Sequence, residues 1–176
     1  DKYQFKPERP FAPGGEIAGL VESVGAGVSH VKPGQRVIGS VGWGGFAEKV
    51  KVQAQRIMPI PDAMPFDEAS AFILTYGTSY YALKDRGVLK AGETVLILGA
   101  AGGVGVAAIE LAKAMGARVV GAVSSEEKAE FAKACGADAT VLYPPGAFAK
   151  EQAKQLSDAF KQATGGGADV IYDAVG

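Results

Sequence analysis

The chain of 176 residues has little of the chemistry that metal sites and disulfides require. It contains one cysteine and one histidine, Cys135 and His30, so no disulfide can form within it and no zinc site of the Cys/His type can be assembled. Neither sign of charge is in excess, because 18 basic residues face 19 acidic ones. Nucleic acids and anionic membranes both reward a basic surface, and we therefore expect neither as a partner.

Long hydrophobic runs are also missing. The longest uncharged apolar stretch, residues 94–109, contains four glycines and is shorter than the roughly 20 residues that cross a bilayer. No basic-then-apolar signal segment opens the chain. We therefore expect a soluble, cytoplasmic protein. Glycine, in contrast, is abundant: its 25 residues are about twice the usual share, which points to turns and close backbone approach.

Two patterns follow each other along the chain. Up to about residue 65, short β runs alternate with glycine and proline. We predict strands at 17–24, 36–39 and 46–52, and extended backbone at 56–61, where prolines bias the residues before them. Helical periodicity then begins, with helices predicted at 67–72 and 77–86. Beyond these, strands at 94–98, 118–122, 139–142 and 169–173 alternate with helices at 103–115, 126–134 and 147–164. Apolar strands between helices predict a parallel, doubly wound sheet, with its strands ordered 3-2-1-4. Asp173 is expected to end the last strand.

A glycine-rich turn joins the first of these parallel strands to its helix. Ala100, Gly102 and Gly105 give the spacing A-x-G-x-x-G, and Gly103 and Val104 begin the helix. Such a turn lets the backbone approach a pyrophosphate, which the free N–H groups and the positive dipole end of the helix then hold. The alternative is a strand–helix turn without a ligand. A P-loop is excluded, since no Gly-Lys-Ser/Thr follows.

The end of the second parallel strand indicates which dinucleotide is bound. NAD sites place an acidic residue there to hold the ribose hydroxyls, whereas this chain has Ser124 and Ser125, followed by Lys128. Glu126 and Glu127 are better explained as first-turn acids of the next helix, with Ser124 and Glu127 forming a capping box. Two hydroxyls and a lysine suit a ribose 2′-phosphate, so we predict NADPH rather than NADH.

Six ordered motifs along the chain resemble those of the medium-chain dehydrogenase/reductase superfamily, in particular its zinc-free, zeta-crystallin-like quinone oxidoreductase branch. The matching stretches are residues 13–19 (PGGEIAG), 31–37 (VKPGQRV), 44–48 (GGFAE), 74–79 (LTYGTS), 99–105 (GAAGGVG) and 172–176 (YDAVG). The resemblance implies an α/β chain in two parts. Residues 1–72 would be the later part of a GroES-like β domain, and residues 73–176 the earlier part of a Rossmann domain, so that the chain is a fragment of a longer protein.

One departure from the family pattern bears on the chemistry. Zinc-dependent relatives carry a ligand histidine where this chain has Gly15, so we expect no zinc. Reduction of a carbonyl substrate would then lack a Lewis acid, whereas a C=C that is already polarised needs less electrophilic activation to accept hydride. Cys135 is expected to be a buried small hydrophobe and His30 a surface residue.

The resemblance implies an NADPH-dependent oxidoreductase that transfers hydride to a quinone or enone, a small-molecule partner, and a homodimer in the full-length protein. It also implies that Thr78 lies near the nicotinamide and Tyr143 beside the 2′-phosphate. The alternatives are a helix N-cap for Thr78 and a strand-end aromatic for Tyr143. For Trp43 and Phe46 we favour core packing over a substrate cleft. Two other functions stay open: an enoyl thioester reductase, and a dinucleotide-binding module without catalysis.

Overall fold

A computed structural model of the chain describes residues 6–143, 146 and 149–176. It divides into two compact units, the first ending at Leu74 and the second running from Thr75 to Gly176. Among the residues that the structure describes, no helix combines the length and apolarity that a bilayer crossing requires.

The first unit holds a small antiparallel sheet. Its strands are β1 (Glu16–Leu20), β2 (Arg36–Ser40) and β3 (Ile57–Pro59), in the order β1-β2-β3. A single 3-10 turn, Ala54–Arg56, precedes β3. β1 is shorter than predicted: its ladder with β2 ends at the pairing of Leu20 with Arg36, and beyond it Val21 bonds to the backbone of Gly34 and Gln35 in the turn that precedes β2.

The strand predicted at residues 46–52 is wrong. The segment alternates apolar and polar residues, but its backbone bends over residues 46–49 and no described strand pairs with it. Core packing is also the wrong interpretation for two aromatic residues near this segment. Trp43 is 52% exposed and Phe46 is 75% exposed, so neither belongs to a packed core.

Two helices lie near the boundary between the units. α1 is the short Phe66–Ala69, and α2 spans Phe72–Tyr80 and continues as a π-helical segment, Tyr81–Arg86. The helix predicted to begin at Gly77 thus begins five residues earlier. The prediction treated Gly77 as a break, although one glycine costs a helix interior only about 1 kcal/mol. The carboxylate of Glu16 favours the earlier start, because its Oε1 accepts the Leu74 N–H at 2.9 Å.

The second unit alternates strands and helices as the sequence predicts. The elements are β4 (Thr94–Leu98), α3 (Gly103–Ala114), β5 (Arg118–Val123), α4 (Glu126–Ala134), β6 (Ala139–Leu142), α5 (Lys150–Thr164) and β7 (Val170–Asp173). All pairs are parallel and the order is β6-β5-β4-β7, which is the predicted 3-2-1-4 arrangement. The helix predicted over 147–164 is observed from Lys150, and residues 147 and 148 lie outside the described part.

Two apolar clusters cover the two faces of this sheet. Alternate side chains of a strand point to opposite faces. Val95 and Val119 accordingly join a cluster that includes residues of α3 and α4, whereas Leu96 and Val120 join one that includes residues of α5. Burial on both faces is typical of parallel sheets and confirms the α/β architecture expected from the sequence.

Candidate functional site

The glycine-rich turn sits between the carboxyl end of β4 and the start of α3. Gly99 adopts φ +70°, and the N–H groups of Gly99 and Ala100 donate to the Ala122 carbonyl at 3.1 and 3.2 Å. These bonds tie the turn to β5. Gly102 is extended and precedes the first residue of α3, so the predicted turn and helix start are both observed.

Glycine is present at positions 105 and 102 of this turn for different physical reasons. A Cβ at Gly105 would lie 2.3 Å from the Gly99 carbonyl oxygen and 2.8 Å from Ala100 Cα, so the contact between α3 and the turn leaves no room for a side chain. A Cβ at Gly102 would meet nothing closer than that same oxygen at 3.4 Å, which is ordinary contact. The fold therefore requires glycine at 105 but does not itself require it at 102.

The N-terminus of α3 carries free donors. No side chain caps it, its first turn holds no acidic residue, and the N–H groups of Gly103, Val104 and Gly105 have no acceptor in the described part of the chain. The first N–H groups of a helix need a partner, and together with the dipole they attract an anion.

The other long helices have acidic or capping side chains at their N-termini. α4 is capped by Ser125 and begins with two glutamates, α2 receives the carboxylate of Glu16, and α5 has Glu151 in its first turn and the side chain of Gln152 at its cap. Among helices of nine or more residues in the described structure, α3 is thus the one whose first turn receives neither a capping side chain nor a carboxylate.

A lysine and two serines meet at the end of β5. Lys128 Nζ lies 3.0 Å from Ser124 Oγ and forms no ion pair with any described residue. The predicted capping box at Ser124 and Glu127 is wrong, because Ser125, the residue directly before the helix, is the cap and accepts the Lys128 N–H at 3.3 Å. Ser124 therefore lies outside α4, and its hydroxyl faces the lysine head group. No carboxylate follows β5 directly.

Tyr143 follows β6 at the same edge of the sheet. Its N–H donates to the Val123 carbonyl at 2.9 Å, and its half-buried ring packs against the cluster that α5 covers. Since β5 and β6 are parallel neighbours, the residues that follow them share one edge. The structure therefore places Tyr143 at the edge where Ser124 lies.

Thr78 lies in the middle of α2 and is exposed, so it cannot be a helix N-cap. Its neighbour Ser79, which the sequence analysis missed, is fully buried and donates to the Val104 carbonyl at 2.9 Å. This bond attaches α2 to the first turn of α3. No periodicity singles out Ser79, because a serine next to exposed tyrosines gives no sign of burial.

Asp138 is another residue that the sequence analysis missed. Its carboxylate accepts the Val119 N–H at 2.7 Å and pairs with Lys113 Nζ at 2.8 Å. Burial raises the pKa of Asp138, but the Lys113 and Val119 hydrogen bonds and the nearby positive charges outweigh it, so the pKa lies below the usual range. Asp138 thus joins α3, β5 and the start of β6.

His30 is exposed, as expected, and its Nε2 lies 2.8 Å from the Ala54 carbonyl oxygen. Cys135 is half-buried against the α3–α4 cluster, and burial, followed by the charge of Glu110, raises the pKa of its thiol. Within the described ranges, no three His, Cys, Asp or Glu side chains come together in a way that could hold a metal ion.

The first unit contains an open cavity of about 1080 Å³ between β1 and residues 45–52. Phe46 is among its lining residues, and the Glu22–Lys49 ion pair, 2.6 Å long, stands at its exposed border. Its described lining offers no histidine or cysteine, so it carries no nucleophile or metal ligand of those kinds.

Two family models match the chain. One, described as Alcohol dehydrogenase GroES-like domain, covers residues 1–62, and one described as Zinc-binding dehydrogenase covers residues 103–176. Among curated proteins, the chain is 42% identical to the quinone oxidoreductase-like protein 2 homolog of Nematostella vectensis, over 99% of this chain and 46% of that protein.

Solved structures of oxidoreductases are also similar to this chain. A probable oxidoreductase from Mycobacterium abscessus superposes with a TM-score of 0.88 at 44% identity, covering 99% of this chain and 53% of that one. An Escherichia coli quinone oxidoreductase complexed with NADPH superposes with a TM-score of 0.84 at 35% identity, covering 98% and 51%.

The antiparallel sheet is the GroES-like part of a two-part dehydrogenase fold, and the four parallel strands are the Rossmann-like part. The chain belongs to the medium-chain dehydrogenase/reductase superfamily, in its zinc-independent quinone oxidoreductase branch. It spans about half the length of the curated relatives that it matches.

Proposed function

We propose that the protein is an NADPH-dependent oxidoreductase that transfers hydride to a quinone or another activated C=C, without zinc. The observation that carries the proposal is the pairing of two anion-binding features in one parallel sheet. These are the uncapped, acid-free start of α3 and the unpaired Lys128 beside Ser124 at the end of β5. The names of the relatives and the NADPH bound to the Escherichia coli enzyme support it.

The pyrophosphate is proposed to bind at the first turn of α3. Gly103, Val104 and Gly105 would donate their free N–H groups, Gly102 would let the ligand approach, and Ala100, fully buried, would fix the turn below it. The hydroxyl of Ser124, the ammonium of Lys128 and the Tyr143 side chain would hold the 2′-phosphate. Ser125 would take part through the hydroxyl hydrogen that its capping bond leaves available.

The chemistry that NADPH supplies when bound is a hydride, which quinones and enones accept at an electrophilic carbon. The chain would contribute orientation and electrostatics. Thr78 is proposed to lie near the nicotinamide, on the helix that Ser79 attaches to α3. Gly15 stands where zinc-dependent relatives carry a histidine, so substrates that need a Lewis acid are not favoured.

Exchanging Lys128 for glutamine tests the cofactor preference. Because a charged hydrogen bond contributes about 1.5–3 kcal/mol, K128Q should weaken NADPH binding by roughly 10- to 100-fold and leave NADH binding nearly unchanged. The matched control is K133Q on the same helix, where the lysine is already paired with Glu130 at 2.8 Å. Equal affinities of the unmodified protein for NADPH and NADH would contradict the proposal.

Turnover of three acceptors by the purified protein tests the substrate class. A simple quinone, a cyclic enone and an enoyl thioester should each be offered with NADPH, and oxidation followed at 340 nm. Reduction of the quinone or enone supports the proposed function. Activity confined to the thioester indicates an enoyl thioester reductase instead, and tight NADPH binding without any turnover indicates a binding module. Zinc retained stoichiometrically after mild chelation would contradict the zinc-free mechanism.

We also propose that residues 1–72 and 73–176 correspond to parts of the GroES-like and Rossmann domains of a longer protein. That protein is expected to be a cytoplasmic homodimer, and sedimentation at several concentrations measures its oligomeric state.

A further inference from the structure

The strand order creates a crevice above β4. In the order β6-β5-β4-β7, the chain first builds outward from β4 to β5 and β6, and then returns to the other side of β4 as β7. Ligands of open parallel sheets bind at this reversal, beyond the carboxyl ends of the strands. The turn that follows β7 therefore lies beside the glycine-rich turn that follows β4.

Asp173 shapes that second turn. It is the last residue of β7, in register with Leu98, and its Oδ1 accepts the N–H groups of Val175 at 2.9 Å and Gly176 at 3.1 Å. The chain consequently folds back directly after the strand, with Gly176 at φ +87°.

The folded turn touches the glycine-rich turn through Val175. A Cβ built on Gly99 would lie only 2.8 Å from Val175 Cγ2, so the valine side chain lies directly on Gly99. The Asp173 carboxylate thus determines where Val175 stands relative to the turn between β4 and α3.

The same two bonds stabilise the charged form of Asp173. The hydrogen bonds from the Gly176 and Val175 N–H groups hold the pKa of this exposed carboxyl below its usual range. The carboxylate is therefore ionised at neutral pH and stays an acceptor for the two N–H groups of its own turn.

We propose that Asp173 is a positioning residue for the dinucleotide: it holds residues 174–176 so that Val175, packed on Gly99, forms the wall of the crevice beside the nicotinamide half. The inference rests on the proposed function, because it presumes a dinucleotide in this crevice. The adenosine half would lie over β5 and β6, away from the Asp173 turn.

Two ligands and three variants test the proposal in the purified protein. NADPH occupies both halves of the site, and 2′,5′-ADP occupies the adenosine half alone. The variant D173A removes the acceptor, D173N keeps an oxygen acceptor without the charge, and V175A keeps the turn but removes the wall. Affinities are measured by titration calorimetry, and near-UV circular dichroism reports whether each variant is folded.

We expect D173A and V175A to weaken NADPH binding by about tenfold or more, because the nicotinamide half loses its contact with a correctly placed Val175. The affinity for 2′,5′-ADP should stay within about twofold, since this ligand does not reach that wall. D173N should bind NADPH within about threefold of the unmodified protein, since the turn needs an acceptor rather than a charge. If D173A does not fold, the NADPH affinities of D173N and V175A still test the proposal.

Three results would overturn the proposal: unchanged NADPH affinity in D173A and V175A, equal losses for both ligands, or D173N as impaired as D173A. An unmodified protein that binds neither ligand would instead reject the proposed function, and this inference with it. Binding of 2′,5′-ADP by the unmodified protein separates the two failures.

Discussion

Exchanging Gly105 for alanine should separate the packing role of the glycine-rich turn from its binding role. The new Cβ would stand 2.3 Å from the Gly99 carbonyl oxygen and within 3.0 Å of two Ala100 backbone atoms. To reach even the 3.0 Å lower limit of observed Cβ contacts, α3 and the turn must separate by about 0.7 Å. Both partners are backbone, so no flexible side chain can move away.

The magnitude follows from two opposing effects. Overpacking a well-filled contact costs about 1–3 kcal/mol, while alanine in place of glycine stabilises a helix by about 1 kcal/mol. We expect G105A to lower the free energy of unfolding by up to about 2 kcal/mol, and by about 1–3 kcal/mol relative to a helix alanine without the close contact. The control is G103A, whose Cβ would have Thr75 Cγ2 as its nearest contact at 3.5 Å. It should be as stable as the unmodified protein or slightly more so.

G102A should give the opposite result. The nearest atom to its Cβ would be 3.4 Å away and its backbone is extended, so we expect a stability change within about 0.5 kcal/mol. NADPH affinity should nevertheless fall by about tenfold or more, since the methyl group would occupy the path of the pyrophosphate. Urea unfolding and NADPH titration measure the two effects. A G105A protein as stable as G103A would refute the packing argument, and a G102A protein with full affinity would refute the binding argument.

Two further predictions concern stability away from the turn. Val88 adopts φ +50°, which is unfavourable for a β-branched residue by about 1–2 kcal/mol. V88G should therefore raise the free energy of unfolding by about 0.5–1 kcal/mol, whereas V88A should give no such gain. A V88G protein less stable than V88A would contradict this. Asp138 has a pKa below its unfolded value of 3.8, so the stability it contributes is complete above about pH 4 and is lost as the pH falls through the folded pKa. D138N should therefore lose stability at pH 7 and show a shallower decline between pH 5 and 2; parallel pH profiles for the two proteins would show that the carboxylate is not linked to folding.

The elements and the strand order of the second unit could be predicted from local patterns in the sequence. Apolar strands alternating with helices leave few arrangements other than a covered parallel sheet, and the glycine spacing between β4 and α3 locates the helix start. These signals are local, because each depends on residues within one strand, helix or turn. Gly105 belongs with them: its spacing pointed to close helix packing, and the 2.3 Å approach to Gly99 gives the reason.

Other features depend on partners that no local pattern specifies. Residues 46–52 alternate like a strand, but in the described structure no neighbouring strand is available to pair with them. Ser124 and Ser125 are equivalent in sequence, and only the course of the chain after β5 decides that the second caps α4 and the first faces Lys128. Ser79 became buried because α2 packs on α3. Likewise, Asp173 can hold Val175 on Gly99 only because β7 returns to the side of β4, a contact between residues more than 70 positions apart that the tertiary fold alone creates.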